Sequence, residues 1–277
     1  MKNLLLIPFL ILYVTASAQY YYKDVVGTRE TAQIITAYKN NGIQRVLVNS
    51  YDDQNTKIDD FFVEQIYSNT DKTLKTITRS AGTNASVLTS FTDDAGRVIK
   101  TVDSSGNMTS TTTYSYNNDG SLASIKSISK DTARQLNETE EHLWAYQNGN
   151  IQSMLRIKNG TDTTYVQFKL DINGNVIEEQ STRRGVKSEP VYYYYDAANR
   201  LTDIVRYSTK ARRLLPEYMF EYSPQNQVIQ KITVPDNSDA YLIWRYQYDA
   251  GGLKIREAVY NKEKELNGKI EYQYQRK

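Results

Sequence analysis

The amino-acid sequence predicts an all-β protein, an antiparallel meander of about ten repeated β-hairpins forming one long curved or rolled sheet. Three observations carry that expectation. A short aromatic motif recurs at even spacing, the residues around each copy alternate apolar and polar with a period of two, and a turn rich in Asn, Asp and Gly follows each copy.

The motif is aromatic, any residue, aromatic, a turn of four or five residues, then an aliphatic. It reads "YSYNNDGSLASI" from Tyr114, "WAYQNGNIQSM" from Trp144, "FKLDINGNVIE" from Phe168, "YYYDAANRLTDI" from Tyr193, "FEYSPQNQVIQKI" from Phe220 and "YQYDAGGLKI" from Tyr246, with a half copy, "YQY", from Tyr272. The paired anchors are therefore Tyr114 and Tyr116, Trp144 and Tyr146, Phe168 and Leu170, Tyr193 and Tyr195, Phe220 and Tyr222, Tyr246 and Tyr248, and Tyr272 and Tyr274. Weaker copies precede them and place further turn-proximal anchors at Tyr38, Ser68 and Thr92, so that successive anchors stand 24 to 30 residues apart. A fixed period of that length is the mark of a repeat architecture, in which one unit cannot hide its apolar face alone.

Each unit reads as two strands. Leu242, Trp244, Tyr246 and Tyr248 share one face of a strand and Arg245 and Gln247 the other. Turns such as Asn117-Asn118-Asp119-Gly120 and Asn148-Gly149 hold residues that tolerate positive φ, and β-branched runs such as Val228 to Val234 follow. In "VYYYYDAANRL" the inward pair is Tyr193 and Tyr195, Tyr192 and Tyr194 take the opposite face, and Asp196 to Arg200 form the turn. Stacked units then form an aromatic ladder that dominates stability. The segment 28–39 is contested: Thr28 as a cap and Asn41-Gly42 as a terminator favour a helix, while the repeat phase favours a strand ending at Tyr38.

Residues 1–18 read as an export signal, with Lys2, an apolar run from Leu4 to Val14 and an A-x-A cleavage site at Ala16-Ser17-Ala18 before Gln19. Residues 19–277 form a single β-hairpin repeat domain in this reading, and the product is expected in the periplasm or outside the cell. No run is long and apolar enough for a transmembrane helix. The chain has no cysteine, which excludes disulfides, thiolate metal sites and a lipid-accepting Cys. It holds 34 Lys+Arg against 32 Asp+Glu, and loss of Lys2 with the signal takes the net charge from +2 to +1. That balance, with only short basic clusters at Arg183-Arg184 and Lys210 to Arg213, argues against a nucleic-acid partner.

The stretch "FTDDAGRVIKTVDSSGNMTSTTTYSYNNDGSLASI", Phe91 to Ile125, with "YDAANRL" at Tyr195 and "YDAGGL" at Tyr248, resembles the YD repeats of RHS-type proteins. The resemblance runs from about Ile66 onward. It implies hairpins joined into a spiralling sheet and an association with carbohydrate. Ten units are too few for that family's closed shell, no toxin-like region is expected after Tyr274, and Asn199 and Asn226 stand where the family usually has glycine. What carries over is the sheet and a saccharide-facing role, with no catalytic residue.

The search for chemistry returns little. His142 is the only histidine, it shares the Trp144/Tyr146 face beside Glu140 and Glu141, and it reads as a buried or rim residue. A carboxylate pair would suffice for glycoside hydrolysis, yet Asp93, Asp94, Asp119, Asp171, Asp196 and Asp249 all sit in turns that favour Asp for backbone reasons. Asp171 to Asn175 has the look of a calcium loop but coincides with a repeat turn. An outer-membrane barrel is disfavoured because the inferred apolar face carries Lys100, Lys126, Asp203 and Gln230 and the mean hydropathy is -0.63. The expectation is an exported, non-enzymatic protein that binds or scaffolds at the cell envelope, without cofactor or metal, with a glycan or another envelope protein as partner. Its alternatives are a carboxylate-dependent glycoside hydrolase and a periplasmic carrier of an apolar envelope molecule.

Overall fold

The structure, a computed structural model, describes residues 20–235 and 240–277; the signal expected over residues 1–18, with its cleavage site before Gln19, lies outside the described residues. Among those residues one helix, α1 (Lys23–Asn40), precedes nineteen strands. The meander begins with β1 (Ile43–Tyr51), β2 (Phe61–Ser68), β3 (Thr73–Ser80), β4 (Ser86–Thr92), β5 (Val98–Ser105) and β6 (Met108–Tyr116). It continues through β7 (Leu122–Asp131), β8 (Leu136–Gln147), β9 (Asn150–Lys158), β10 (Asp162–Leu170), β11 (Val176–Arg183) and the two-residue β12 (Val186–Lys187). It is completed by β13 (Val191–Tyr195), β14 (Leu201–Ser208), β15 (Arg213–Tyr222), β16 (Val228–Thr233), β17 (Leu242–Tyr248), β18 (Lys254–Tyr260) and β19 (Leu266–Arg276).

Every pairing is antiparallel, as the two-residue periodicity requires, but the sheet is not open. β1 pairs with β2, from Arg45↔Ile66 to Val48↔Val63, and also with β19, from Ile43↔Arg276 to Tyr51↔Lys269. The expected curved or rolled sheet is thus a closed barrel. Closure removes the two free edges that an open meander would leave with unpaired N–H and C=O groups. β12 and β13 pair in turn with the same edge of β11, separated by Ser188 to Pro190, so they occupy one position and the wall has 18 strands.

The repeat turns lie at one rim, and each is followed by a bulge. Register shifts fall at Phe91/Thr92, Ser115/Tyr116, Ala145/Tyr146, Lys169/Leu170, Tyr194/Tyr195, Glu221/Tyr222 and Gln247/Tyr248. The extra residue, Ile99, Ile177, Ile229 or Ile255 in four units, points to the outside and is 37–39% exposed. One inserted residue exchanges the faces of everything after it. Lys100, Lys126, Asp203 and Gln230, assigned from simple alternation to the aromatic face, therefore lie on the outer face opposite Phe91, Glu141, Tyr194 and Glu221. The inward slot belongs instead to Ile125, Met154, Glu179, Ile204, Lys231 and Glu257. The turn after β2 has no such bulge, so Tyr67 and not Ser68 is the buried residue there.

The segment for which the repeat phase favours a strand ending at Tyr38 is helical. A strand there would need an edge, and β1 already has both edges filled. The C-terminus is the expected one, since Asn41 caps it by donating Nδ2–H to the Ala37 carbonyl at 2.9 Å. The start is not: Thr28 lies inside the helix and donates to the Asp24 carbonyl. The first turn of α1 meets β8, β11 and β13, and its last meets β2 and β19, half a circuit away, so the helix crosses the interior of the barrel. Two apolar clusters pack around its ends, one including Tyr21, Trp144, Met154, Val166 and Tyr193, the other including Ile35, Tyr38, Val46, Val63 and Ile270.

Candidate functional site

All fourteen anchors project into the barrel, where their alternate positions place them. Trp144 stacks on Phe168 with ring centroids 5.5 Å apart, Tyr218 on Phe220, and Tyr272 on Tyr274. The turn-proximal tyrosines make a recurrent bond. Tyr116, Tyr146, Tyr195, Tyr222, Tyr248 and Tyr274 each donate a hydroxyl to a carbonyl of the preceding unit, those of Val98, Leu122, Val176, Leu201, Val228 and Lys254, at 2.6–2.9 Å. Leu170 has no hydroxyl and breaks the series. Tyr114, Tyr193 and Tyr246 form the deeper ring, and burial raises the hydroxyls of all three above the usual tyrosine value.

The interior also holds two groups of charges that simple alternation does not reveal. Glu179, 2% exposed, accepts the backbone N–H groups of Tyr21 (2.8 Å) and Tyr22 (2.9 Å) and the Tyr193 hydroxyl (2.8 Å). It caps the helix from across the barrel, taking donors that no local side chain satisfies. Burial pushes its carboxyl up, against the donors that favour the charged form. Beside it, His142 bridges Asp24 of the helix (2.5 Å) and Glu140 (3.0 Å), and Arg156 holds Glu140 at 2.6 Å. Burial alone would lower His142, but the hydrogen bonds to the two carboxylates win and raise it to about 9, while His142 and Arg156 hold Glu140 down at about 2 despite burial. A histidine locked between two acids, with no nucleophile bonded to it among the described residues, is a structural clamp. On the far side Glu257 accepts from Tyr272 (2.5 Å) and Lys254 (2.6 Å), and Lys231 lies over the Trp244 ring.

The turn aspartates do not converge on a cleft. Asp171 accepts the N–H groups of Asn173 and Asn175, Asp196 those of Ala198 and Arg200, and Asp249 those of Gly251 and Leu253, so backbone geometry explains each of them. The same holds for the calcium-like string, whose first residue is consumed by its own turn. Asn199 and Asn226 take φ of 58° and 63°, supplying the left-handed position that glycine fills elsewhere. Arg200 ties neighbouring turns together by bonding Asp196, the Ser223 carbonyl and Asn226.

The outer face is of a different kind. It carries Arg45 paired with Glu64, Lys169 with Glu178 at 2.7 Å, and Lys126 opposite Glu141. Outward tyrosines break this pattern: Tyr165 opposite Leu155 and, on two adjoining strands, Tyr192 between Glu178 and Val205, Tyr194 opposite Asp203, and Tyr207 opposite Leu214. Tyr194 and Tyr207 are 49% and 41% exposed. The run of four tyrosines is thus shared between two environments, one pair facing the core and one the outer surface. The carrier reading asked for a concave aromatic surface left open, and that concave surface is packed against α1.

No protein-family model matches this chain, and no curated protein does. Among solved structures it is similar to a porin-like protein from Bacteroides uniformis at 10% identity, covering 84% of this chain and 98% of that one with a TM-score of 0.34. It is also similar to the Photorhabdus luminescens Tc holotoxin pore (10% identity, TM-score 0.30) and a TcdB2-TccC3-Cdc42 complex (12%, 0.23), each over 87% of this chain. The chain spans only 17% of the length of those two. Overlaps this loose assign no function, which rests on the residues of the barrel itself.

Proposed function

We propose that this is an exported, non-enzymatic barrel that acts at the cell envelope by binding, and that its ligand is a glycan held on the outer tyrosines. The observation that carries the reading is the two-sided use of Val191 to Tyr195: Tyr193 and Tyr195 are spent on the core, whereas Tyr192, half-buried, and Tyr194, exposed, lie on the outer face with Tyr207. Flat rings with hydroxyl donors suit the C–H faces and hydroxyls of sugars, and Asp203, Glu178 and Thr202 supply acceptors around them. The recurrent Asp-led turn, bulge and tyrosine bond support reading the units as YD-like repeats.

The outer wall favours an aqueous setting over a lipid one. A lysine facing lipid at mid-depth costs about 2 to 4 kcal/mol, and Lys126, in the middle of β7, faces outward opposite Glu141. A glycan array probed with the mature protein tests the proposal. Binding should fall roughly tenfold in Tyr194→Ala and in Tyr207→Ala, the worth of one aromatic contact of about 1.4 kcal/mol. An array without hits, or hits untouched by both substitutions, would reject it.

A further inference from the structure

We infer a second binding site, on the outer wall across β15, β16 and β17, that takes an anionic amphiphile: an alkyl chain ending in a carboxylate. Met219, Ile232 and Ile243 are successive cross-strand partners on the outward face and form an unbroken apolar row. Ile243 points away from the interior and is still only 6% exposed, so the wall is hollowed here instead of flat. The hollow measures about 370 Å³, within the range of small-molecule sites, and Tyr241 and Lys264 flank it from the segments before β17 and before β19.

Its charge selects the head group. Arg245 and Lys264 line the hollow, and neither makes an ion pair among the described residues. The Arg245 guanidinium is placed by the Tyr260 ring, 5.3 Å below it. The described residues that line the hollow carry two cations and no carboxylate; Glu221, which accepts a bond from Gln230 at 2.7 Å, and Asp203 stand opposite Gln230 and Met219 on the neighbouring strands. An alkyl chain covers the apolar row while its carboxylate meets the two cations. A neutral chain leaves them without a partner, and a cationic one is repelled. The site shares no residue with the outer tyrosines, so it stands or falls independently of the glycan reading.

The test is calorimetric titration of the mature protein with dodecanoate and, in parallel, with dodecyltrimethylammonium, both below their micellar concentrations. Dodecanoate should bind saturably at one site and the cation should not. The double variant Arg245→Gln/Lys264→Asn should bind dodecanoate at least tenfold more weakly, while Tyr194→Ala binds it unchanged. Asn suits position 264 because Lys264 has a φ of 66°, so folding is retained. Absence of saturable dodecanoate binding, equal binding of the cation, or a double variant indistinguishable from the parent overturns the inference.

Discussion

The Tyr222 hydroxyl donates to the Leu201 carbonyl, 2.7 Å away and one repeat earlier in the chain. Leu201 is the first strand residue after its turn, next to the bulge where the ladder is locally disrupted. The phenol therefore closes the carbonyl side of that defect and finds a partner for its own buried oxygen. Six copies of this bond explain why the chain uses 24 tyrosines and only 6 phenylalanines.

Removing one such hydroxyl should cost about 1 kcal/mol, the net worth of a single hydrogen bond, because the ring remains to fill its space. Tyr222→Phe and Tyr116→Phe, on separate parts of the wall, should each lower the urea midpoint, and their effects should add. Unchanged midpoints would show that the bonds contribute nothing.

Glu179 is expected to be needed for its shape more than for its charge. Glu179→Gln keeps an oxygen for the helix N–H groups and should be tolerated within about 1 kcal/mol, whereas Glu179→Leu strands two N–H donors and the Tyr193 hydroxyl and should cost about 2 to 4 kcal/mol. Thermal melts of the two variants make the comparison; equal losses would refute the cap.

The clamp at His142 predicts a stability maximum in mildly acidic solution. The folded-state value of His142, about 9, exceeds the ordinary one, so its contribution is complete below about pH 6.5 and fades as pH rises through about 9. Glu140 is held at about 2, so its contribution is complete above about pH 4.5 and fades as pH falls through about 2. Asp24→Asn should shrink the loss on the alkaline side by about 1 to 3 kcal/mol relative to the parent, read from denaturant melts between pH 6 and 10. Parallel curves for the two proteins would remove His142 from the account.

Adjacent cysteines test which face is wet, and the absence of native cysteine gives a clean background. Val166 is fully buried while its neighbour Gln167 is exposed. A charged thiol reagent should modify Gln167→Cys and Lys126→Cys in the folded protein, at rates that lipid vesicles do not change, and Val166→Cys only after unfolding. Protection of Gln167→Cys and Lys126→Cys by vesicles would instead place the outer wall in a bilayer.

Much of the fold was legible because strand alternation and turn chemistry are local. The period of the anchors, the hairpins and the inward pairs from Tyr114 to Tyr274 are written into neighbouring residues. The bulges were not visible, since an inserted Ile177 or Ile229 looks like any other aliphatic, and each one missed exchanges the faces after it, which put Gln230 inward in place of Lys231. The candidate sites were harder still. Tyr192 and Tyr194 could be assigned to the opposite face, but the outer hollow needs three strands and two loops in register.

The sequence by itself determined the unit: a hairpin with an aromatic side, an Asx-type turn and a polar back, because each depends on residues within about ten positions of one another. Tertiary structure alone decided closure and the fate of residues 23–40. Both turn on partners far away in the chain, β1 with β19 at the seam and Glu179 with the backbone of Tyr21 and Tyr22, and the free energy of such contacts exists only once the whole wall has formed.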